Sequence, residues 1–355
     1  MSTKPCLSQA SQEQGWYTHF NIDLIVKVLS YTILHPFVAW MIPLSLCAQL
    51  TPYSHLSLQL SVAYASLLTA LFIFSLIDKR IAYGPPRDVD VSEEIIVITG
   101  GASGLGLLLA QVYGMRGASV AVLDVNRVNE ESRGITFYNC DVGDKSQVEQ
   151  AADAIRVDLG TPTILINNAG IVHGKPMLEL AADEVERNFR VNLLSHFNTI
   201  QNFLPGMLEA GHGTIVTVAS VLGHLGSANL SDYTSAKAGL IAMHRSLQAE
   251  LRCSNHKSAS NIKTVLCTPG QLNTPLFAGL QTPSAFLAPV VEPVDLAKEI
   301  IKLVDAGEGG EISLPFYAKW IPWLNVLPAG LQRIVRAMSG LDSAMEAMHT
   351  RKKSQ

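Results

Sequence analysis

The 355 residues suffice for one large domain with extensions, and 48% of them are apolar against 16% charged, with the apolar excess lying before residue 80. A net charge of −4 without long basic runs argues against a nucleic-acid partner. Five scattered cysteines, Cys6, Cys47, Cys140, Cys253 and Cys267, are odd in number and lack metal-ligand spacing, so reduced thiols and no metal site are expected.

Residues 1–22 are polar and lack the basic n-region and small-residue cleavage site of a signal peptide. Two charge-free apolar stretches come next, Val28–Leu50, interrupted by Pro36 and Pro43, and Leu56–Ile77, separated only by Thr51–His55. Each reaches the roughly 20 residues that a helix needs to cross a bilayer. Lys4 and Lys27 precede the pair and Lys79, Arg80 and Arg87 lie after it, which by the positive-inside bias puts both ends in the cytosol. The expectation is a membrane hairpin over 23–80, crossing twice or dipping into one leaflet, with a buried pair of core helices as the alternative. A linker over 81–92, around Gly84-Pro85-Pro86, would join the hairpin to the larger C-terminal part of the chain.

Glu93–Ile98 reads as a buried strand running into Thr99-Gly100-Gly101-Ala102-Ser103-Gly104-Leu105-Gly106, followed by an apolar helix, Leu107–Met115. Strand, glycine turn and helix N-terminus together give a pyrophosphate close backbone approach, free N–H groups and a favourable dipole. The spacing is GxxxGxG, not GxGxxG. The next strand, Ser119–Leu123, ends at Asp124, whose carboxylate can accept both ribose hydroxyls and would repel a 2′-phosphate, so NAD is expected over NADP, with Arg127 close enough to compensate. Residues 125–134 are too few for a crossover helix and are predicted as a loop.

A third strand, Ile135–Cys140, leads into Asp141-Val142 and a polar helix around Lys145–Val157; strand Thr163–Ile166 gives way to Asn167-Asn168-Ala169-Gly170. A long helix, roughly Ala182–Leu204, carries Asn192; strand Gly213–Val218 delivers Ser220; strand Ile262–Leu266 ends in Pro269-Gly270. This alternation predicts an α/β fold, a doubly wound parallel sheet of Rossmann type, with ligands at the carboxyl ends of the strands. The motifs at Thr99–Gly106, Asp124, Asp141, Asn167–Gly170, Ser220 and Pro269–Gly270 all occupy such ends.

Between the last two of those strands lies SVLGHLGSANLSDYTSAK, residues 220–237. If Ser231 or Asp232 opens a helix, Tyr233 and Lys237 fall four apart on one face. A phenol titrates near a pKa of about 10, and a fixed ammonium stabilises its phenolate. Tyr233 could then take a proton from an alcohol or return one to a carbonyl, with Ser220 holding the same oxygen. Alone, a Tyr-x-x-x-Lys match is weak, because such pairs are common on solvated helices. The sequon Asn229-Leu230-Ser231 sits beside that tyrosine and reads as a chance match on a cytosolic domain.

Taken together, TGGASGLG at 99–106, Asp124, Asp141, NNAG at 167–170, Asn192, Ser220, Tyr233, Lys237 and PG with Thr274 fall in one family order, and residues 93–317 resemble the short-chain dehydrogenase/reductase superfamily. The resemblance implies that Tyr233 is the catalytic acid–base, that Ser220 orients the substrate oxygen, and that Lys237 binds the nicotinamide ribose while lowering the tyrosine pKa. It implies that Asn192 holds a water of the proton relay. It assigns cofactor binding to Gly100, Ser103, Gly104, Leu105, Gly106 and Asp124, with Asp141 and Val142 at the adenine, Asn168, Ala169 and Gly170 along the cofactor, and Pro269, Gly270 and Thr274 by the nicotinamide carboxamide. A homodimer paired through the helices of Asn192 and Tyr233 is implied too. The short 125–134 link departs from the family pattern.

The N-terminal apolar segment and the tail over 318–355 are similar to those of the membrane-bound retinol dehydrogenase and 17β-hydroxysteroid dehydrogenase group. That resemblance implies a lipophilic alcohol or ketone substrate at an endoplasmic reticulum or lipid-droplet surface, with the catalytic domain facing the cytosol. Trp16, Trp40, Trp320 and Trp323 all lie outside the core motifs, and tryptophan favours the membrane interface. Leu331, Ile334, Val335 and Met338 would form one apolar face opposite Arg333 and Arg336, suiting an interfacial helix or one packed on its own domain or a dimer mate. The loop Gln271–Val291 carries Leu272, Leu276, Phe277, Leu280, Phe286 and Leu287, which would close over an apolar substrate or pack on the domain; His173 and His224 flank the cleft as surface residues. A non-catalytic NAD-binding membrane or lipid-droplet scaffold is the competing function, and the intact set Asn192, Ser220, Tyr233 and Lys237 weighs for the enzyme.

Overall fold

The computed structural model describes residues 20–127, 134–277, 282, 284–340 and 342, so Cys6, Trp16 and Leu280 lie outside the described residues. The chain divides into two compact units, 1–72 with 284–289, and 73–283 with 290–355.

In the first unit, helix α1 (Ile22–Tyr31) opens at Asn21, whose side chain accepts the Leu24 N–H at 2.9 Å. It breaks before α2 (Pro36–Ala48), and the two helices meet at a 51° bend. The first apolar stretch is therefore two helices. Pro36 lacks an N–H to carry a helical ladder through, yet fits the first position of a new helix. By contrast α3 (Leu56–Tyr83) runs unbroken for 28 residues and is long and apolar enough to cross a membrane. Trp40 donates to the Thr69 hydroxyl at 2.9 Å and Tyr64 to the Ile33 carbonyl at 2.6 Å. These bonds pin α2 and the α1–α2 break against α3, although few of their apolar side chains are buried. Phe286, inside the loop read as a possible substrate cover, belongs to this unit: its carbonyl accepts the Ile22 N–H at 3.1 Å and its ring lies 5.9 Å from that of Phe20.

The second unit is built on seven parallel strands in the order β3-β2-β1-β4-β5-β6-β7: β1 (Ile95–Thr99), β2 (Ser119–Asp124), β3 (Ile135–Asn139), β4 (Ile164–Asn167), β5 (Gly213–Val218), β6 (Ile262–Cys267) and β7 (Gly310–Ile312). This is the predicted doubly wound sheet, with β7 added at its edge. Successive strands first build outward from β1 through β2 to β3, then from its other side through β4. The switch point between β1 and β4 opens a crevice at the carboxyl ends. Register makes those ends flush, since Thr99 pairs with Leu123 on one side and Asn167 on the other.

Helices cover both faces. Ile96, Ile98, Val120, Val122 and Ile166 pack with α4 (Gly104–Met115) and α9 (Pro293–Asp305), while the alternate residues Val97, Ala121, Leu123 and Leu165 pack with α5 (Lys145–Asp158) and α7 (Ser195–Ala210). Strands buried on both faces need no polar alternation, which is why they read as continuous apolar runs. Each buried valine, leucine or isoleucine among them contributes about 1.5–3 kcal/mol. The long helix expected over 182–204 extends to 210 and is composite: α6 (Ala182–Phe189), a π-turn (Arg190–Leu194), then α7.

At the amino end of the sheet, Arg87 is buried and pairs with Glu94 at 2.6 Å, donating also to Thr214 at 3.1 Å. Counted from sequence among the charges flanking the hairpin, Arg87 instead fastens the linker beneath the sheet. In the tail, α10 (Ile321–Leu324) precedes α11 (Ala329–Ser339), which buries none of its residues. Leu331, Ile334, Val335 and Met338 are all exposed, so their face is not packed on the domain.

Candidate active site

The crevice takes its shape from backbone crowding. Gly100 has φ of +65°, and a Cβ there would stand 2.8 Å from Ala169 Cα; a Cβ on Gly106 would stand 2.2 Å from the Gly100 carbonyl oxygen. Only glycine fits either position. The turn is stitched to the strap after β4: Thr99 Oγ1 accepts the N–H groups of Asn168 (3.0 Å) and Ala169 (3.1 Å), and Asn168 Nδ2 donates to the carbonyls of Gly100 (3.0 Å) and Thr99 (3.2 Å). Ser103 caps α4 without a side-chain hydrogen bond, so the first amides of that helix keep donors for an anion.

Asp124 accepts the N–H of Ala102 and that of Asn126, each at 2.9 Å, one on each carboxylate oxygen. The carboxylate thus holds the glycine turn as well as closing β2. Asp141 accepts the Gly143 N–H at 2.9 Å and is oriented by Gln147, which accepts its own N–H at 2.9 Å.

Opposite this cradle, helix α8 (Ser231–Cys253) opens where expected and sets Tyr233 and Lys237 one turn apart, each 3% exposed. The Ser220 hydroxyl, which accepts the Leu222 N–H at 3.2 Å, draws the pKa of the Tyr233 phenol down. Lys237 Nζ donates to the Val218 carbonyl at 2.9 Å and lies 5.7 Å from the tyrosine ring centroid. Burial dominates both groups: it pushes the Tyr233 phenol up to about 12 against the opposing pull of Ser220, and the Lys237 ammonium down to about 8. The sequence led us to expect a lysine that lowers the phenol. Here burial sets the direction, with Ser220 the opposing influence.

Asn192 sits in the π-turn, a local widening of the helix that recurs at functional sites. Its Nδ2 donates to the Ile171 carbonyl and to Asn188 Oδ1, both at 2.8 Å, and its Oδ1 accepts the Ile171 N–H at 2.9 Å. The carboxamide is therefore committed to the strap that carries Asn168–Gly170.

Every residue anticipated for cofactor binding or catalysis lines one cleft of about 290 Å³, apart from Gly106 and Asn192, which stand behind its wall. Tyr233 also belongs to an apolar cluster in which Val221, Leu222, Leu230 and Ala318 are buried with Phe277, Tyr317 and Ile321 packed against them, and of these Phe277 lines the cleft. Phe277 meets the Tyr233 ring edge-on at 6.0 Å. Of the loop expected to close over substrate, Leu272, Leu276 and Phe277 line this cleft, whereas Phe286 and Leu287 belong to the first unit.

Sequence reasoning passed over Asn188 and Asp232. Asn188 precedes Asn192 by one helical turn, a spacing that could have flagged it. His173, read as a surface residue, is part-buried and makes a 2.7 Å hydrogen bond between its Nδ1 and Asp232 Oδ2.

The glycine cradle, the free α4 amides and the carboxylate ending β2 fit a nicotinamide dinucleotide, because a Cβ at Gly100 or Gly106 would rebuild the turn along which it would lie. Comparisons with known proteins agree. The short chain dehydrogenase family model matches residues 94–284. Short-chain dehydrogenase/reductase family 16C member 6 of Bos taurus is 33% identical over 281 residues, covering 76% of this chain and 88% of that protein. Retinol dehydrogenase 10 of Homo sapiens is 32% identical over 255 residues, covering 62% and 74%, respectively. An uncharacterized oxidoreductase of Saccharomyces cerevisiae is 32% identical over 251 residues, covering 69% and 82%. The ligand-free aldohexose dehydrogenase of Thermoplasma acidophilum shares the fold, with a TM-score of 0.55 over 64% of this chain and 94% of that one at 20% identity. Sheet, cradle and relatives converge: this chain belongs to the short-chain dehydrogenase family, as an oxidoreductase of alcohols or ketones that uses a nicotinamide cofactor and a small-molecule substrate.

Proposed function

We propose that the chain is a membrane-associated enzyme that moves a hydride between NAD(H) and a lipophilic alcohol or ketone of the retinoid, steroid or long-chain lipid class. The observation that carries this reading is the position of Tyr233, which lines the cleft with Ser220 and the polar dinucleotide cradle and is itself packed in an apolar cluster with Phe277. When bound, the nicotinamide supplies or accepts the hydride. Tyr233 donates its proton to a carbonyl oxygen in reduction and, as the phenolate, takes one from an alcohol in oxidation, while Ser220 orients that oxygen. Lys237, fixed by the Val218 carbonyl, holds the nicotinamide ribose, and Asn192 braces the strap beside it.

Gly100, Ser103, Gly104, Leu105 and Gly106 cradle the pyrophosphate; Asp141 and Val142 meet the adenine; Asn168, Ala169 and Gly170 run along the cofactor; Pro269, Gly270 and Thr274 face the carboxamide. Each Asp124 oxygen takes one backbone N–H and keeps lone pairs for ribose hydroxyls, which supports NAD. Residues 23–80 serve as the membrane anchor and 318–355 as an interfacial tail around a catalytic domain of 93–317, with 1–22 and 81–92 as polar leader and linker. The unbroken α3 and the exposed Trp320, Trp323 and α11 face support that division. Lys79 and Arg80 at the end of α3 favour a cytosolic catalytic domain on endoplasmic reticulum or lipid droplet. Exposed Leu194 and Phe197 suit pairing as a homodimer.

The test follows nicotinamide absorbance in detergent-solubilised protein offered NAD or NADP with retinol, hydroxysteroids and long-chain alcohols. Turnover with NAD, abolished in Tyr233→Phe, is the expected result. Turnover with NADP alone would overturn the reading of Asp124, and cofactor binding without turnover would favour a scaffold.

A further inference from the structure

The hydrogen bonds behind the cleft close into a ring. Starting from the strap after β4, Ile171 is bonded through both its N–H and its carbonyl to Asn192; Asn192 Nδ2 donates to Asn188 Oδ1; Asn188 Nδ2 donates to Asp232 Oδ2 at 2.9 Å; and that same oxygen is bonded to His173, two residues along the strap from Ile171. Three separate elements, the strap, the α6–π-turn helix and α8, are thereby tied in one circuit. Asn188 and Asn192 are fully buried, Asp232 is 3% exposed, and His173 forms the ring's outer member.

Core stability alone gives no reason for this arrangement. Asp232 Oδ1 is buried with no hydrogen-bond partner among the described residues. A carboxylate held that way costs free energy that an apolar side chain of similar volume would not. Its place explains it better: Asp232 is joined by a peptide bond to Tyr233, and the ring's far side grips Asn192. Between them sits Gly170, where an added Cβ would stand 2.9 Å from Asn192 Oδ1 and 3.8 Å from Lys237 Nζ. A shift anywhere in the ring would therefore move the strap, the π-turn or the first turn of α8 relative to the reacting groups. Neither His173 nor Asp232 lines the cleft.

We infer that His173 and Asp232 are positioning residues: acting through Asn188, they fix Asn192 and the opening turn of the helix that carries Tyr233 and Lys237, without touching substrate or cofactor. The inference deepens the function proposed above and rests on it for the roles of Tyr233 and Lys237.

The experiment uses the full chain in detergent micelles, with hydrogen exchange read by mass spectrometry alongside kinetics on whichever alcohol of the panel turns over fastest. Asp232→Ala should lower kcat about 10- to 100-fold while NADH affinity changes less than about two-fold, as for a group that sets geometry instead of binding. Exchange should rise in the segments 168–173 and 188–192 and stay unchanged in β2 and α9. Asp232→Asn, whose amide oxygen still accepts from Asn188, should recover most of kcat. His173→Ala should repeat the loss more weakly, about ten-fold, and His173→Gln should restore it.

Wild-type kcat in both alanine variants would overturn the inference. So would a parallel fall in kcat, NADH affinity and melting temperature without recovery in the conservative variants, since that pattern marks a merely structural role. If Asp232→Ala does not fold, the His173 pair decides alone. Turnover retained in Tyr233→Phe would instead sink the proposed function, and the exchange data would then judge the ring by itself.

Discussion

Two regions of the catalytic unit depart from ordinary burial in opposite directions. Around α6, α7 and α8, polar groups are hidden: Asn188, Asn192, His196, Asp232, Lys237 and His244 are each at most 3% exposed. Along the tail, apolar groups stand in solvent: Trp320, Trp323, Val326 and Met338 are 58%, 66%, 75% and 83% exposed. Hidden polar groups cost free energy unless they are bonded, and they recur where chemistry needs fixed donors and altered proton affinities. Clustered exposed apolar groups on a folded chain mark a surface that meets something apolar. The difference teaches where to look for reaction and where for location.

The sharpest way to break this contrast is Tyr233→Phe. It should lower kcat by about 10³-fold while denaturant unfolding and cofactor affinity stay near wild type; retained turnover would strip the hidden polar region of its chemical meaning.

The second prediction contrasts that region with a buried pair outside the site. Arg87→Met should lower unfolding free energy by about 3–5 kcal/mol, because it strands the Glu94 carboxylate. The double variant Arg87→Met/Glu94→Leu should regain most of that stability with kcat unaltered. If the double variant loses activity, the Arg87–Glu94 pair acts on the site after all.

A third concerns pH. Burial holds His244 down to about 4 and drives His196 well below its ordinary value, so both stay neutral in the fold. As pH falls below about 6.5 the unfolded chain takes up those protons first, and stability is lost progressively until the folded His244 titrates near 4. The expected slope is about 1.4 kcal/mol per pH unit for each histidine in that window. His244→Gln should flatten it, which thermal melts at a series of pH values would show.

The smallest effect is expected in the tail. Leu331→Ser and Ile334→Ser should shift stability by no more than about 0.5 kcal/mol, yet reduce flotation with phosphatidylcholine vesicles. A loss of stability above that range would mean the face is packed, and the contrast between the two regions would fail.

Much of this was legible in the chain. The strands are apolar runs bounded by turn residues, so their carboxyl ends, and the groups gathered there, could be placed before any coordinates. The Tyr233–Lys237 spacing needed only a helix start at Ser231. What escaped depended on tertiary partners. Strand β7 is three residues long and exists only because β6 offers an edge to Gly310–Ile312. Nothing local distinguishes His173 from a loop histidine, because its partner Asp232 is 59 positions away. The charge of Arg87 suggested a membrane flank, while its contacts with Glu94 and Thr214 put it under the sheet. The direction of the Tyr233 shift was also hidden, since spacing reports the neighbouring cation but not the depth of burial.

The π-turn at Arg190–Leu194 also constrains how this chain can vary. Such a turn holds one residue more than the α-helical turn it replaces, so the helix before it and the helix after it are out of phase by about 100°. Thr199, Phe203 and Met207 are buried in that second phase. Deleting one residue between 190 and 194 would leave regular α-helical pairing through this turn, yet would rotate those three side chains off the sheet. The length of this segment is thus under tighter constraint than its composition, and an insertion or deletion there should be less tolerable than most substitutions.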